Sequence, residues 1–257
     1  MKEGRHAIVP GSEARARLER ARRLGERFVL LLEREDDGTS TPVEDSTDVE
    51  GSTMAADAPS ASGFDHASWE AVRSEALACV KCDLCEGRTQ VVWGSGTPHT
   101  ALLVVGEAPG YHEDKQGEAF VGPAGQLLTK ILAAIGFRRD EVFITNVLKC
   151  RPPGNADPQP HQVAACEPYL ERQIELINPV AILALGRHAA HTLLRTEGPM
   201  GSLRGRVFRY QGVPLVATYH PAALLRNASL KRPTWEDVQL LRRIYDEALE
   251  ARAAERE

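Results

Sequence analysis

No apolar run in the sequence approaches the ~20 residues that a membrane-spanning helix requires, so no such helix is expected. The N-terminus also lacks an apolar stretch with a small-residue cleavage site, which argues against a secretory leader and makes the cytoplasm the expected compartment. Basic residues are missing altogether from residues 35–65, where nine acids stand (Glu35, Asp36, Asp37, Glu44, Asp45, Asp48, Glu50, Asp57 and Asp65). Setting that segment aside takes the formal charge from −5 to +4, so the overall acidity does not exclude nucleic acid as a partner. Internal repeats are not evident. No G-x-G-x-x-G follows the first strand candidate, which weighs against a nucleotide-binding redox protein. Cysteine is sparse, with five among 257 residues, and three of the five fall within residues 79–85.

What is present divides the chain in three. Residues 12–34 form a basic amphipathic pattern with Leu18, Leu24, Phe28 and Leu31 or Leu32 on one side, so residues 1–34 are expected to carry a peripheral helix. A partner-binding or DNA-contacting arm is the second reading of that helix, and a repair or replication partner is the kind it would fit. Residues 35–65 are rich in Asp, Glu, Ser, Thr, Gly and Ala with almost no aromatics, which predicts a disordered acidic linker. The globular domain is expected over residues 66–257, long enough for a sizeable core.

Within that domain, Leu102 to Gly125 organises the rest. Four aliphatics lead into Gly106-Glu107-Ala108-Pro109-Gly110, then an acidic loop with Glu113 and Asp114 beside Phe120, then a helix. A short all-apolar run followed by glycines and a helix predicts a parallel strand feeding a loop at its carboxyl end, where α/β sheets bind ligands. Further strands are expected at Val142–Thr145, Val180–Leu185 and Pro214–Thr218, with a short strand and turn after Cys85. Helical patterns cover Ala67–Ala78, Ala124–Ile135, Pro160–Ile177, Arg187–Leu194 and Thr234–Ala251. The alternation implies an α/β fold with a mostly parallel sheet covered on both faces. Each principal strand candidate ends in a distinctive signal: Gly106-Glu107, Asn146, Gly186 and His220-Pro221. Such ends converge in space in this architecture. Taken singly, Asn146 reads as a cap or turn residue, His220 as a loop residue and Phe120 as core. Their order and common edge favour a site. His188 and His191, on the helix after Gly186, are expected at the surface.

The cysteines are Cys79, Cys82, Cys85, Cys150 and Cys166. In a cytoplasmic chain a C-x2-C pair with two distant partners suggests metal binding rather than disulfides, and zinc and an iron–sulfur cluster both fit the spacing. Cys85 extends the run to C-x2-C-x2-C and competes for a place.

The stretches GEAPGYHEDKQGEAFVGPAGQLL, ITNVLKCRPP and YHPAALLR, with a cysteine in the helix after the second, resemble the family 4 uracil-DNA glycosylases, the iron–sulfur branch of their superfamily. The resemblance runs from about Cys79 to Leu249. It implies a three-layer α/β/α sandwich on a four-stranded parallel sheet and a structural [4Fe–4S] cluster on Cys79, Cys82, Cys150 and Cys166, leaving out Cys85. It implies an enzyme, a likeness to monomers, that hydrolyses the N-glycosidic bond of uracil in DNA and leaves an abasic site. Glu107 and His220 match the catalytic positions, His220 as the donor to uracil O2 and Glu107 as base or electrostatic stabiliser of the sugar cation. Ala108, Gly110, Glu113, Phe120 and Asn146 match the uracil pocket: Phe120 for stacking, Asn146 for reading N3–H and O4, Glu113 for blocking the thymine methyl. Pro221, Leu224, Leu225 and Arg226 match a DNA-contacting loop with a leucine wedge. A uracil-DNA binding protein of the same superfamily is the alternative; the basic insertion with a central His that would mark its covalent form is missing here.

Overall fold

The computed structural model describes residues 64–255. The expected N-terminal helix lies outside them, as does nearly all of the acidic linker. Runs such as Leu102–Gly106 and Ala181–Leu185 are buried along their whole length, the pattern of strands covered on both faces. Six strands, β1 (Ser95–Gly96), β2 (Leu102–Gly106), β3 (Phe143–Asn146), β4 (Ala181–Leu185), β5 (Val207–Tyr210) and β6 (Val213–Thr218), form one sheet in the order β1-β3-β2-β4-β6-β5. The inner four pair in parallel, as the sequence predicts. The expected count of four needs extending: β1 and β5 add antiparallel edges. Edge strands need bury only part of their length, and β5, with Val207 and Arg209 exposed, carries no apolar run to betray it.

The helices are α1 (His66–Leu77), α2 (Leu84–Gly87), α3 (Tyr111–Gln116), α4 (Pro123–Ala134), α5 (Pro160–Ile177), α6 (Gly186–Leu194), α7 (Met200–Leu203), α8 (Pro221–Arg226) and α9 (Lys231–Ala254). Alternate strand residues enter opposite layers, as the two-residue period of a strand requires. Leu103, Val105, Ile182 and Ala184 pack with residues of α1, α5 and α6, whereas Leu102, Val104, Leu183 and Leu185 pack with residues of α4 and α9. The result is the α/β/α sandwich. Two details depart from expectation. The acidic stretch after Gly110 winds into α3, started at Gly110 where Glu113 reaches back to its N–H. The run Pro221–Arg226 is a short helix rather than an open loop.

Register fixes the functional edge. Gly106 pairs with Asn146 across β2 and β3, and Leu185 pairs with Thr218 across β4 and β6, so all four strand-end signals leave the sheet on one side.

Candidate active site

Gly106 ends β2 where a side chain would have no room. A Cβ there would lie 2.4 Å from Asn146 Oδ1 and 2.5 Å from the Phe120 ring. Bare backbone at that position lets the Asn146 amide and the Phe120 ring stand over one volume. Asn146 is 1% exposed, and its Oδ1 has no hydrogen-bond partner. A buried acceptor without a partner costs about 1–3 kcal/mol, which marks it as a group awaiting a donor. Its backbone is braced from behind. The fully buried Lys149 Nζ donates to Asn146 O at 2.6 Å, Thr145 Oγ1 at 2.7 Å and Gln173 Oε1 at 2.7 Å. Burial lowers the Lys149 ammonium to about 7. The sequence reading passed over Lys149, whose only signal is a lone Lys inside an apolar strand-end run.

Phe120 has φ of 55°, the left-handed region that side chains with a Cβ avoid at about 1–2 kcal/mol. Three backbone bonds hold the loop in that shape. Glu113 Oε1 accepts from Val121 N and Gly122 N, both at 2.9 Å, and Oε2 accepts from Gly110 N at 3.1 Å. Both carboxylate oxygens are therefore committed to the loop, and Glu113 is a fixed wall rather than a mobile arm. Asp114, expected beside it, turns away and accepts from Thr89 N at 2.8 Å.

His220 caps α8: its Nδ1 accepts from Ala222 N at 3.2 Å, which leaves Nε2 to carry the ring proton. The ring centroid is 5.5 Å from that of Phe120. Gly186 makes room for it, since a Cβ there would lie 2.9 Å from His220 Cβ, and its φ of +86° suits glycine. Burial, reinforced by Arg226, depresses the imidazole to about 4, so His220 is neutral at physiological pH. Glu107 is half-buried at the rim, where desolvation pushes its carboxyl up and His188 pulls it back. The expectation that His188 is a surface residue needs correcting, because its side chain is 22% exposed and its Nε2 lies 4.0 Å from Glu107 Oε2. Helical spacing tells which face a residue occupies but not what stands across from it.

In α8 the two leucines part company. Leu224 is 2% exposed and belongs to the core with α4, so the expectation that it contacts DNA fails; Leu225 is 54% exposed. Neighbouring positions on a helix face different ways.

On the same face as α1 and α5, one cavity is lined by Cys79, Cys82, Cys150 and Cys166, with Cys85 also on its wall. Arg88 Nη1 donates to Cys150 Sγ at 3.3 Å and Lys149 N donates to Cys166 Sγ at 3.2 Å, both contacts that favour thiolates. Burial opposes them, raising Cys82 and Cys150 and pushing Cys166 up to about 11. A single tetrahedral zinc would bring sulfurs to about 3.8 Å of one another, given its ~2.3 Å bonds. Four thiols from three segments converging on one cavity are a donor set that fits a thiolate-ligated metal centre, an iron–sulfur cluster among them. No helix among the described residues is long and apolar enough to cross a membrane.

A family model described as the uracil DNA glycosylase superfamily matches residues 93–240, more than half of the chain. The type-4 uracil-DNA glycosylase of Sulfurisphaera tokodaii is 44% identical over 186 residues, covering 69% of this chain and 84% of that protein. That of Archaeoglobus fulgidus is 46% identical over 165 residues, covering 61% of this chain and 83% of that protein. That of Pyrobaculum aerophilum is 44% identical over 172 residues, covering 63% and 87%. An orphaned amide beside an aromatic ring, a neutral histidine at a parallel-sheet edge and these likenesses agree: the chain belongs to the uracil DNA glycosylase superfamily, among its type-4 members.

Proposed function

We propose that this chain hydrolyses the N-glycosidic bond of uracil in DNA, releasing free uracil and leaving an abasic site. The observation that carries the reading is the buried, unpartnered Oδ1 of Asn146 facing Phe120. Uracil presents an N3–H donor and an O4 acceptor; the Asn146 amide accepts from the first and donates to the second. Cytosine offers an acceptor at N3 and a donor at N4, which leaves the buried amide opposed on both sides. The sugar–base bond is hidden in a duplex, so the nucleotide is flipped into the pocket, where Phe120 stacks on the base. The wall of Glu113, Ala108 and Gly110 bounds the space beside it, with Glu113 on the side that a thymine methyl would need.

As the C1′–N1 bond breaks, its electron pair goes to the base and charge gathers on O2. His220, neutral with its proton on Nε2, donates there and stabilises the departing anion. The sugar becomes cationic, and the Glu107 carboxylate opposes that charge and orients the water that attacks C1′. The Glu107 carboxylate takes that water's proton as the new C–O bond forms and passes it to solvent, and uracil leaves as the conjugate base. Leu225 is the wedge that fills the vacated base step, and the exposed Arg226 approaches the backbone, while Pro221, expected beside it, is buried at the start of α8.

Cys79, Cys82, Cys150 and Cys166 would hold a [4Fe–4S] cluster, which would supply cross-linking between α1, the segment after β3 and α5 rather than electron transfer. The cysteine cavity and the Asn146 site are contiguous through Lys149, whose backbone N–H donates to Cys166 Sγ and whose Nζ donates to Asn146 O.

The test is uracil release from a labelled uracil-containing oligonucleotide by wild type, Asn146→Ala and His220→Ala. Wild type is expected to release uracil, and each variant to fall by about 10²–10³-fold, the scale for one transition-state donor or one base-reading group. Binding without release by the wild type would overturn the enzymatic reading and leave a uracil-DNA binding protein.

A further inference from the structure

Three separate segments meet beside Glu107. Asp157 lies between β3 and α5, and Arg187 and His188 open α6. Arg187 Nη2 stands 3.0 Å from Asp157 Oδ2 and 3.1 Å from His188 Nε2. His188 Nε2 is in turn 3.4 Å from Asp157 Oδ2 and 4.0 Å from Glu107 Oε2. Glu107, Asp157 and His188 form the one group of three metal-type donors within 4.8 Å among the described residues. The Arg187 guanidinium already supplies the positive charge that the two carboxylates need, so the cluster is self-contained.

We propose that His188 and Asp157 are positioning residues for Glu107: His188, 4.0 Å from the carboxylate, holds it in place and steadies its anionic form, and Asp157 restrains that effect by sharing His188 and Arg187. This rests on the reading of Glu107 as the group that answers the sugar cation. A neutral carboxyl could neither oppose a developing positive charge nor take the proton of the attacking water. Burial drives Glu107 toward that neutral form, and the Asp157 charge adds to the drive. His188 and Arg187 work against it. Asp157, Arg187 and His188 are the charged groups that face Glu107 from the β3–α5 segment and from α6. Arg187 Nη2 donates to His188 Nε2 and to Asp157 Oδ2, which ties the ring to the pair beside Glu107.

The experiment is the pH dependence of single-turnover uracil release from an oligonucleotide by the full chain, comparing wild type, His188→Gln and Asp157→Asn. Removing His188 should move the acid limb of the profile up; removing the competing Asp157 anion should move it down. Each displacement is expected to be about half a pH unit or more, as suits a charge about 4 Å away in a partly exposed setting. KM should stay near the wild-type value in both. In a Glu107→Gln background, His188→Gln should change neither rate nor profile. Limbs that stay in place, or that move the same way in both variants, would overturn the positioning role while leaving the glycosylase reading intact, and so would a His188 effect that survives in Glu107→Gln. A wild type that releases no uracil would sink both.

Discussion

At the scale of single residues the pocket depends on what is missing as much as on what is there. Gly106→Ala would drive a methyl into the space held by Asn146 Oδ1 and the Phe120 ring. The expected outcome is a fall in kcat/KM for uracil release of at least about 10²-fold, with the unfolding temperature lowered by several degrees, since a single overpacked contact costs about 1–3 kcal/mol. His220 makes a second prediction, through stability. Its imidazole is lowered to about 4 in the folded chain, against 6.5 ordinarily, so acid favours the unfolded form, which binds the proton more readily. Relative to His220→Gln, the wild type should lose stability as pH falls from about 6.5 to about 4, and no more below that. The full loss is at most about 3 kcal/mol. Denaturant unfolding of both proteins at several pH values checks it. These residues were partly legible in the sequence: Asn146, Phe120 and His220 stood out by their order at strand ends. His188 and Lys149 did not, because a helix face and an apolar run say nothing about the partner that tertiary packing brings opposite.

At the scale of elements, α8 and the end of β6 carry the site on a small anchor. Asp237 of α9 is fully buried; its Oδ2 accepts from Thr218 Oγ1 at 2.7 Å and Arg204 Nε at 3.1 Å, and its Oδ1 from Gly205 N at 2.9 Å. Thr218 is two residues before His220. Asp237→Ala leaves those donors without their acceptor and should destabilise by about 3–5 kcal/mol, the range for breaking a buried ion pair, with a clear drop in unfolding temperature. Within α8, Leu224→Ala should lower stability by about 2–5 kcal/mol. Leu225→Ala should leave stability alone and slow uracil release from duplex DNA more than from single strands, where no base step has to be opened. A thermal melt and paired rate measurements separate the two. The parallel strands could be read directly, since strands buried on both faces must be apolar throughout. The edge strand β5 and the division of labour between Leu224 and Leu225 could not, because both depend on which surface neighbours leave open.

At the scale of the whole molecule, the cysteine cavity lies between segments far apart in the chain, from Cys79 after α1 to Cys166 in α5. Cys150→Ala or Cys166→Ala should abolish iron retention and lower the unfolding temperature, whereas Cys85→Ala should preserve both; iron content and a melt of the purified variants decide it. The sequence supplied the four positions by resemblance and left zinc open on spacing alone, since sulfur separations are set by how α1, α2 and α5 pack. The loop between β2 and α4 has a broader consequence. Its conformation is already fixed by the three backbone bonds to Glu113, so the Phe120 ring is held in place before any nucleic acid arrives. Little ordering entropy then remains for a ligand to overcome. A free nucleobase, stripped of sugar and phosphate, should therefore be able to stack on that preset ring on its own, and added uracil is expected to slow uracil release in a competition assay.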